Sequence, residues 1–240
     1  MRTRLYVAGI FGALALLAVT LVVVIAFGRH HPSPPLLADN PRPEIPGEIL
    51  YLDEDNCFRR AAASGERQER LGCLPEQQFF QALYWLDDDT AGVVVYGANG
   101  HSLYEVDLAT AAFSNTGTPF TFEGPLDPPL GASGGAYALD GTFAFFEERG
   151  ELIILKDGVR TEVADFDVPR YQQPQVRLWS PDSQWMIVQY YPRHDARLEL
   201  WIISRDGRVR GTLTRAAAIG PGAGAVAWRI GDQISPPLPN

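Results

Sequence analysis

The chain has 240 residues, 46% of them hydrophobic and 20% charged, with a formal net charge of -9. Those fractions exclude a wholly disordered polymer. The acidic balance, with no basic run longer than Arg59-Arg60, excludes the cationic stripe that a nucleic-acid binder needs to neutralise phosphates.

Residues 1–4 carry Arg2 and Arg4, and no charged residue follows from Leu5 to Phe27. A helix of that length reaches about 34 Å, enough to cross about 30 Å of hydrocarbon. Behind it stands only Arg29, beside His30 and His31. That asymmetry predicts a single-pass transmembrane helix over 5–27, with residues 1–4 cytoplasmic and the rest extracytoplasmic. A cleavable signal peptide is the rival reading, but its apolar core runs to about 15 residues at most, shorter than this segment. No cysteine lies near the end of the segment, which excludes a lipoprotein. Residues 28–46 include HPSPPLLADNPRPEIP, whose six prolines predict an extended stalk. The folded domain is expected over 47–235, with a tail at 236–240.

Beyond the stalk no helical stripe occurs. Short β-branched or aromatic runs alternate with Gly, Asp and Pro: EILYL, GVVVYG, FAFFEE and WMIVQYY. This spacing predicts an all-β sandwich, barrel or propeller. A repeat narrows the choice. Val176 to Thr214 reads as four strands, Arg177–Trp179, Trp185–Tyr190, Leu198–Ser204 and Val209–Leu213. Ser180-Pro181-Asp182 and Asp206-Gly207 supply the turns. Weaker copies run from Ala82 to Gly117 and from Gly135 to Phe166. Trp85, Ala138 and Trp179 stand at matching positions, and Trp228 opens a copy that stops after Gly231-Asp232. The Val176–Thr214 copy resembles the repeat of TolB-like (PD40-type) β-propellers, in which a Trp-Ser-Pro-Asp-Gly-like turn precedes a buried strand. Ser183 stands where that family usually has Gly.

The chain ends on a first strand, Ala225 to Trp228, without partners. Gly47 to Cys73 reads as second, third and fourth strands without a first. Joining them removes a costly sheet edge, so a composite blade is expected to close a ring of about four blades. A doubled ring in a homo-oligomer and an unclosed curved sandwich are the alternatives. Within Gly47–Cys73, Cys57 and Cys73 lie symmetrically about Gly65. With Ser64-Gly65 as the hairpin turn they face each other, and outside the cytosol they are expected to oxidise to a structural disulfide.

Candidate chemistry is sparse. Gly131-Ala132-Ser133-Gly134-Gly135 fits G-x-S-x-G, but the pattern works only between a strand and a helix, and a Pro-rich loop precedes it here. Asp53-Glu54-Asp55 and Asp87-Asp88-Asp89 lack the spacing of a calcium loop. No cofactor motif is present. The density of aromatic and Arg side chains at Tyr190, Tyr191, Arg193, His194 and Arg197 suits a binding patch. The resemblance implies a non-enzymatic module that binds a protein or peptide in the cell envelope. A glycan-sensing accessory domain is the second expectation, and a hydrolase the third.

Overall fold

A computed structural model describes residues 33–74, 80–97, 100–114, 117–120, 134–148, 150–166, 168, 174–192, 197–218 and 225–236. Glu48–Leu52 (β1), Cys57–Ala62 (β2) and Gln68–Cys73 (β3) form an antiparallel meander. Three sheets of four strands follow. Phe80–Trp85 (β4), Thr90–Gly97 (β5), Gly100–Asp107 (β6) and Thr118–Phe120 (β7) make the first. Ala136–Tyr137 (β8), Phe143–Phe146 (β9), Glu151–Lys156 (β10) and Val159–Asp165 (β11) make the second. Gln175–Trp179 (β12), Trp185–Tyr190 (β13), Leu198–Ser204 (β14) and Arg210–Ala217 (β15) make the third. These sheets coincide with the three repeat copies. Val226–Ile230 (β16) and Gln233–Ser235 (β17) then join the first meander in the order β17-β16-β1-β2-β3.

The composite sheet is therefore present, with Glu48 opposite Arg229, Ile49 opposite Trp228 and Leu50 opposite Ala227. Its fifth strand was not expected. The last copy does not stop at Gly231-Asp232. Gly231 takes φ of 56°, the chain reverses, and β17 pairs on the free side of β16.

Turn chemistry sets the hairpins. Ser180 Oγ donates to Asp182 Oδ1 and accepts from the Trp185 amide at 2.9 Å. Ser204 repeats the device, donating to Asp206 Oδ1 and accepting from the Val209 amide at 2.9 Å. Ser183, the residue at the family's usual glycine position, has φ of 59°, in the left-handed region.

The sheets pack face to face through separate apolar clusters. Ile49, Tyr51 and Trp228 of the composite sheet meet Ile187, Leu200 and Ile202. Its other face, with Leu50, Phe58 and Ala227, meets Leu83, Trp85 and Val93. Phe146, Leu152 and Phe166 meet Trp179, Val188 and Trp201. Trp85, Trp179 and Trp228 are all fully buried between sheets, as their matched positions predict. The inner strands thus succeed one another as β4, β16, β12 and β8. Among the described residues there is no helix, and four sheets packed in this succession are consistent with a small propeller. Tyr84, Val94 and Phe120 form a separate cluster on the face of β4–β7 opposite Leu83, Trp85 and Val93.

The stalk reading needs correction. Residues 33–46 pack onto the β domain. The Leu37 amide donates to the Thr212 carbonyl at 2.9 Å, and the Thr212 amide donates to Pro35 at 2.8 Å. Leu37 and Ile45 are buried. A Cβ at Gly65 would lie 2.4 Å from Leu37, and one at Gly211 would lie 2.3 Å from its Cδ2. Those two glycines open the notch that Leu37 fills, and apolar burial outweighs the tendency of prolines to stand off. Among the described residues no helix is long and apolar enough to cross a membrane, and the apolar segment at 5–27 lies outside them.

Candidate functional site

Cys57 and Cys73 are directly opposed across β2 and β3 and joined by a disulfide. Gly65, with φ of 88°, makes the turn between the two strands. The Cys57 side is buried and the Cys73 side exposed on the outer strand of the sheet. Arg70 Nη2 lies 2.8 Å from Cys57 Sγ and 3.1 Å from Asp55 Oδ2.

The acidic clusters are turn devices. Asp53 Oδ1 accepts from the amides of Asp55 and Cys57, each at 3.0 Å, while its other oxygen takes Arg59. Asp87 Oδ1 accepts from the amides of Asp89 and Thr90. Asp88 reaches across to Arg229, which also holds Glu48 and lies 4.1 Å from the Trp85 ring centre. Burial would raise the Glu48 carboxyl, but hydrogen bonds and charge from Arg229 and Arg67 outweigh it and hold the group below its ordinary range. The same balance operates at Asp140. Burial raises it, and Thr142, Arg205 and Lys156 together bring it far down.

Ser133 lies outside the described residues, and β8, a strand, follows it where an elbow would need a helix. Among the described residues no group of three or more His, Cys, Asp or Glu could hold a metal ion.

The expected aromatic and Arg patch is divided by the fold. Tyr190 is half-buried, its ring 4.5 Å from that of Trp201, so it packs more than it presents. Tyr191 is 38% exposed. Arg197 pairs with Glu54 at 3.5 Å, tying the β13–β14 hairpin to the composite sheet. Arg193 and His194 lie outside the described residues.

Beside Tyr191 is a polar cluster that the sequence did not single out. Gln175 on β12 and Gln189 on β13 are directly opposed, so their side chains share one face. Between Val176 and Leu178 the β12–β13 register shifts, leaving Arg177 as an extra residue in a β-bulge. Arg177 is exposed, between the buried Val176 and Leu178. Its Nη1 donates to Gln175 Oε1 at 3.5 Å. Gln175 is itself backed by Gly134, whose backbone leaves no room for a Cβ beside the Gln175 stem. Gln189 is buried, and among the described residues its Oε1 has no hydrogen-bond partner. Desolvation by the surrounding protein lowers the Arg177 pKa, partly opposed by Tyr191. A guanidinium still stays charged near neutrality.

No protein-family model matches the chain, and no curated protein matches it. Among solved structures it is similar to the nidogen/laminin complex, at 13% identity and a TM-score of 0.29, over 70% of this chain and 61% of that one. It is similar to an oligogalacturonate lyase in complex with manganese, at 13% identity and a TM-score of 0.26, over 70% and 50%. With the tricorn protease the figures are 14% and 0.25, over 77% and 17%. The chain spans less than two thirds of each of these chains. At such scores the likeness adds nothing to the fold seen in the sheets themselves.

Proposed function

We propose that this chain is a membrane-tethered, extracytoplasmic β-propeller of four blades, closed by its composite sheet, that acts as a non-enzymatic protein-binding module. The observation that carries the reading is the pairing of an oxidised Cys57–Cys73 bridge with the charge-free segment 5–27. A disulfide persists in an oxidising compartment, and a segment of that length suits an anchor. Binding is the activity that best suits the exposed groups. The carboxylates of Asp53, Asp87 and Asp140 serve turns and ion pairs, whereas Tyr191, Gln175 and Arg177 are open to solvent at one end of the β12–β13 pair. The glycan-sensing reading shares the same residues, with Tyr191 as its exposed aromatic.

Topology is tested by protease treatment of intact spheroplasts carrying the full chain, with the domain expected to be digested from outside. Binding is tested by placing a photo-crosslinking amino acid at Tyr191 and, as a control, at Val159, which is 64% exposed on β11. A discrete adduct from position 191 that is absent from position 159 supports the reading. Identical patterns from both positions, or a domain protected inside the cell, count against it.

A further inference from the structure

The outer strands of the sheets differ in how their edges are met. β15 takes residues 35–37 through the Leu37–Thr212 and Thr212–Pro35 backbone bonds, and the Gly72 amide of β3 donates to the Leu108 carbonyl at 2.6 Å. β7 is only three residues long. β11 is the edge strand of its own sheet, and Val159, Arg160, Thr161 and Glu162 are all exposed. Alternation would expose every second residue, so both faces of the strand stand clear of neighbouring sheets here. Val159, at 64%, is the most exposed large apolar residue among those described.

The backbone of this edge has a defined register. Asp157 and Gly158, with φ of 51° and 77°, make a two-residue turn whose twist matches that of the strands it joins. It closes on Lys156 opposite Val159. In such a hairpin the closing pair exchanges hydrogen bonds, so Val159 and Thr161 turn their backbone groups toward β10. Arg160 and Glu162 turn theirs outward. Along this edge, Val159-Arg160-Thr161-Glu162-Val163 is self-complementary about Thr161. Laid antiparallel to a copy of itself, valine meets valine, arginine meets glutamate, and threonine meets threonine. Each of these is a favourable cross-strand pair.

We infer that β11 is a homodimerisation edge, to which β11 of a second copy of this chain adds antiparallel about a two-fold axis at Thr161. The outward N–H and C=O of Arg160 bond to those of Glu162 in the other copy, and reciprocally. The same pairs place opposite charges side by side. Arg160 already holds its own Glu147 at 2.7 Å, and with half of its side chain exposed it can take a second carboxylate. Val159 of one copy covers Val163 of the other, which is partly buried at the rim of the cluster around Phe146 and Leu152. Charged residues on an edge ordinarily deter pairing, but in this order they select one register and one partner. The axis stands perpendicular to the joined sheet, so the β12–β15 sheets of both copies, with residues 35–37, lie on one side of it. That suits two chains tethered to one bilayer, and here alone the inference leans on the proposed anchor. The contact is small beside the roughly 20–30 residues a side of a standard interface, so the dimer is weak, with a Kd of about 10–100 µM.

The test is oxidative cross-linking of the full chain, purified in mild detergent, with single cysteines placed on β11. Thr161→Cys brings two sulfurs face to face across the axis, so at about 50 µM it should link into dimers. Val159→Cys meets Val163 of the other copy rather than itself, and should link about fivefold less or weaker still. In the Thr161→Cys chain, Glu162→Arg and Arg160→Glu should each cut linking by about fivefold or more. Mixing those two chains should restore it, because opposite signs then face at both pairs. Restoration also shows that both charge variants are folded, and a Tm matching that of the Thr161→Cys chain checks the same point. Equal linking from positions 161 and 159, no linking from position 161, or linking there that Glu162→Arg leaves unchanged overturns the inference. So does an adduct of another mass from Thr161→Cys in intact membranes with no dimer beside it, which assigns the edge to a different protein. Any adduct from position 191 should be unaffected by Glu162→Arg, so the binding module and the dimer stand or fall separately. A photo-crosslinker at position 159 should give the chain's own dimer alone.

Discussion

Glu48 and Arg229 are register partners across β1 and β16, and their side chains form an ion pair although 181 residues separate them. This contact fastens the two ends of the domain together. Both side chains are largely shielded, at 22% and 19% exposure, so solvent screens the pair less than it would a surface bridge.

Arg229→Met is expected to cost about 2 kcal/mol, because it leaves Glu48 partly buried without its main partner and removes the contact over Trp85. Urea unfolding of the wild type and the variant measures it. The pH dependence follows from the lowered Glu48 pKa. The contribution is fully present above the ordinary value of 4.5 and is lost as pH falls through the lower, folded value. Stability should therefore decline in acid less steeply in Arg229→Met than in the wild type.

Reduction of the Cys57–Cys73 bridge, or the double replacement by serine, should cost roughly 3 kcal/mol on the chain-entropy account of a loop this size. Thermal melts with and without reductant should differ for the wild type and coincide for the serine double variant. Coincident wild-type curves would remove the stapling role.

Leu37→Ala should cost about 3 kcal/mol, since it empties a notch between β15 and the β2–β3 hairpin that little else can fill. Gly211→Ala should also destabilise, by forcing Leu37 out of the same notch. Equal Tm values for the wild type and Leu37→Ala would return residues 33–46 to the role of a free stalk.

Ser183→Gly should raise stability by about 0.5–1 kcal/mol. Serine at a φ of 59° carries left-handed strain that glycine does not, offset in part by the extra freedom of glycine in the unfolded chain. A fall in Tm would mean that the serine side chain contributes more than its strain costs.

The strands were legible because two cues agreed: short runs of apolar, β-branched or aromatic residues, and Ser, Pro, Asp or Gly between the runs. β1, β13 and β14 fall on their expected residues. The composite sheet was legible because the repeat arithmetic left one strand over at the end and one missing at the start. β17 was not, because a three-residue strand of Gln, Ile and Ser carries no periodicity of its own. The docking of residues 33–46 was hidden by proline content, and its one signal was the Leu36-Leu37 pair inside that stretch. Tyr190 was grouped with surface aromatics because its stacking on Trp201 depends on the β13–β14 register, which sequence alone does not give. Arg177 was read as an ordinary strand residue. The register shift between Val176 and Leu178 that makes it the extra residue of the β12–β13 pair belongs to the assembled sheet.

The composite sheet also imposes an order on biogenesis. β1 to β3 are among the first parts of the domain to leave the ribosome, yet the free edge of β1 has no partner until residues 226–235 have been made. For nearly the whole of synthesis, Ile49, Tyr51 and the rest of that meander wait with an unpaired edge and an incomplete apolar face, a state prone to strand addition from other chains. The early Cys57–Cys73 hairpin can form from local contacts alone, so it can hold the meander in register through that interval. Expression of chains truncated before Val226 should accordingly yield aggregation rather than a shorter soluble domain.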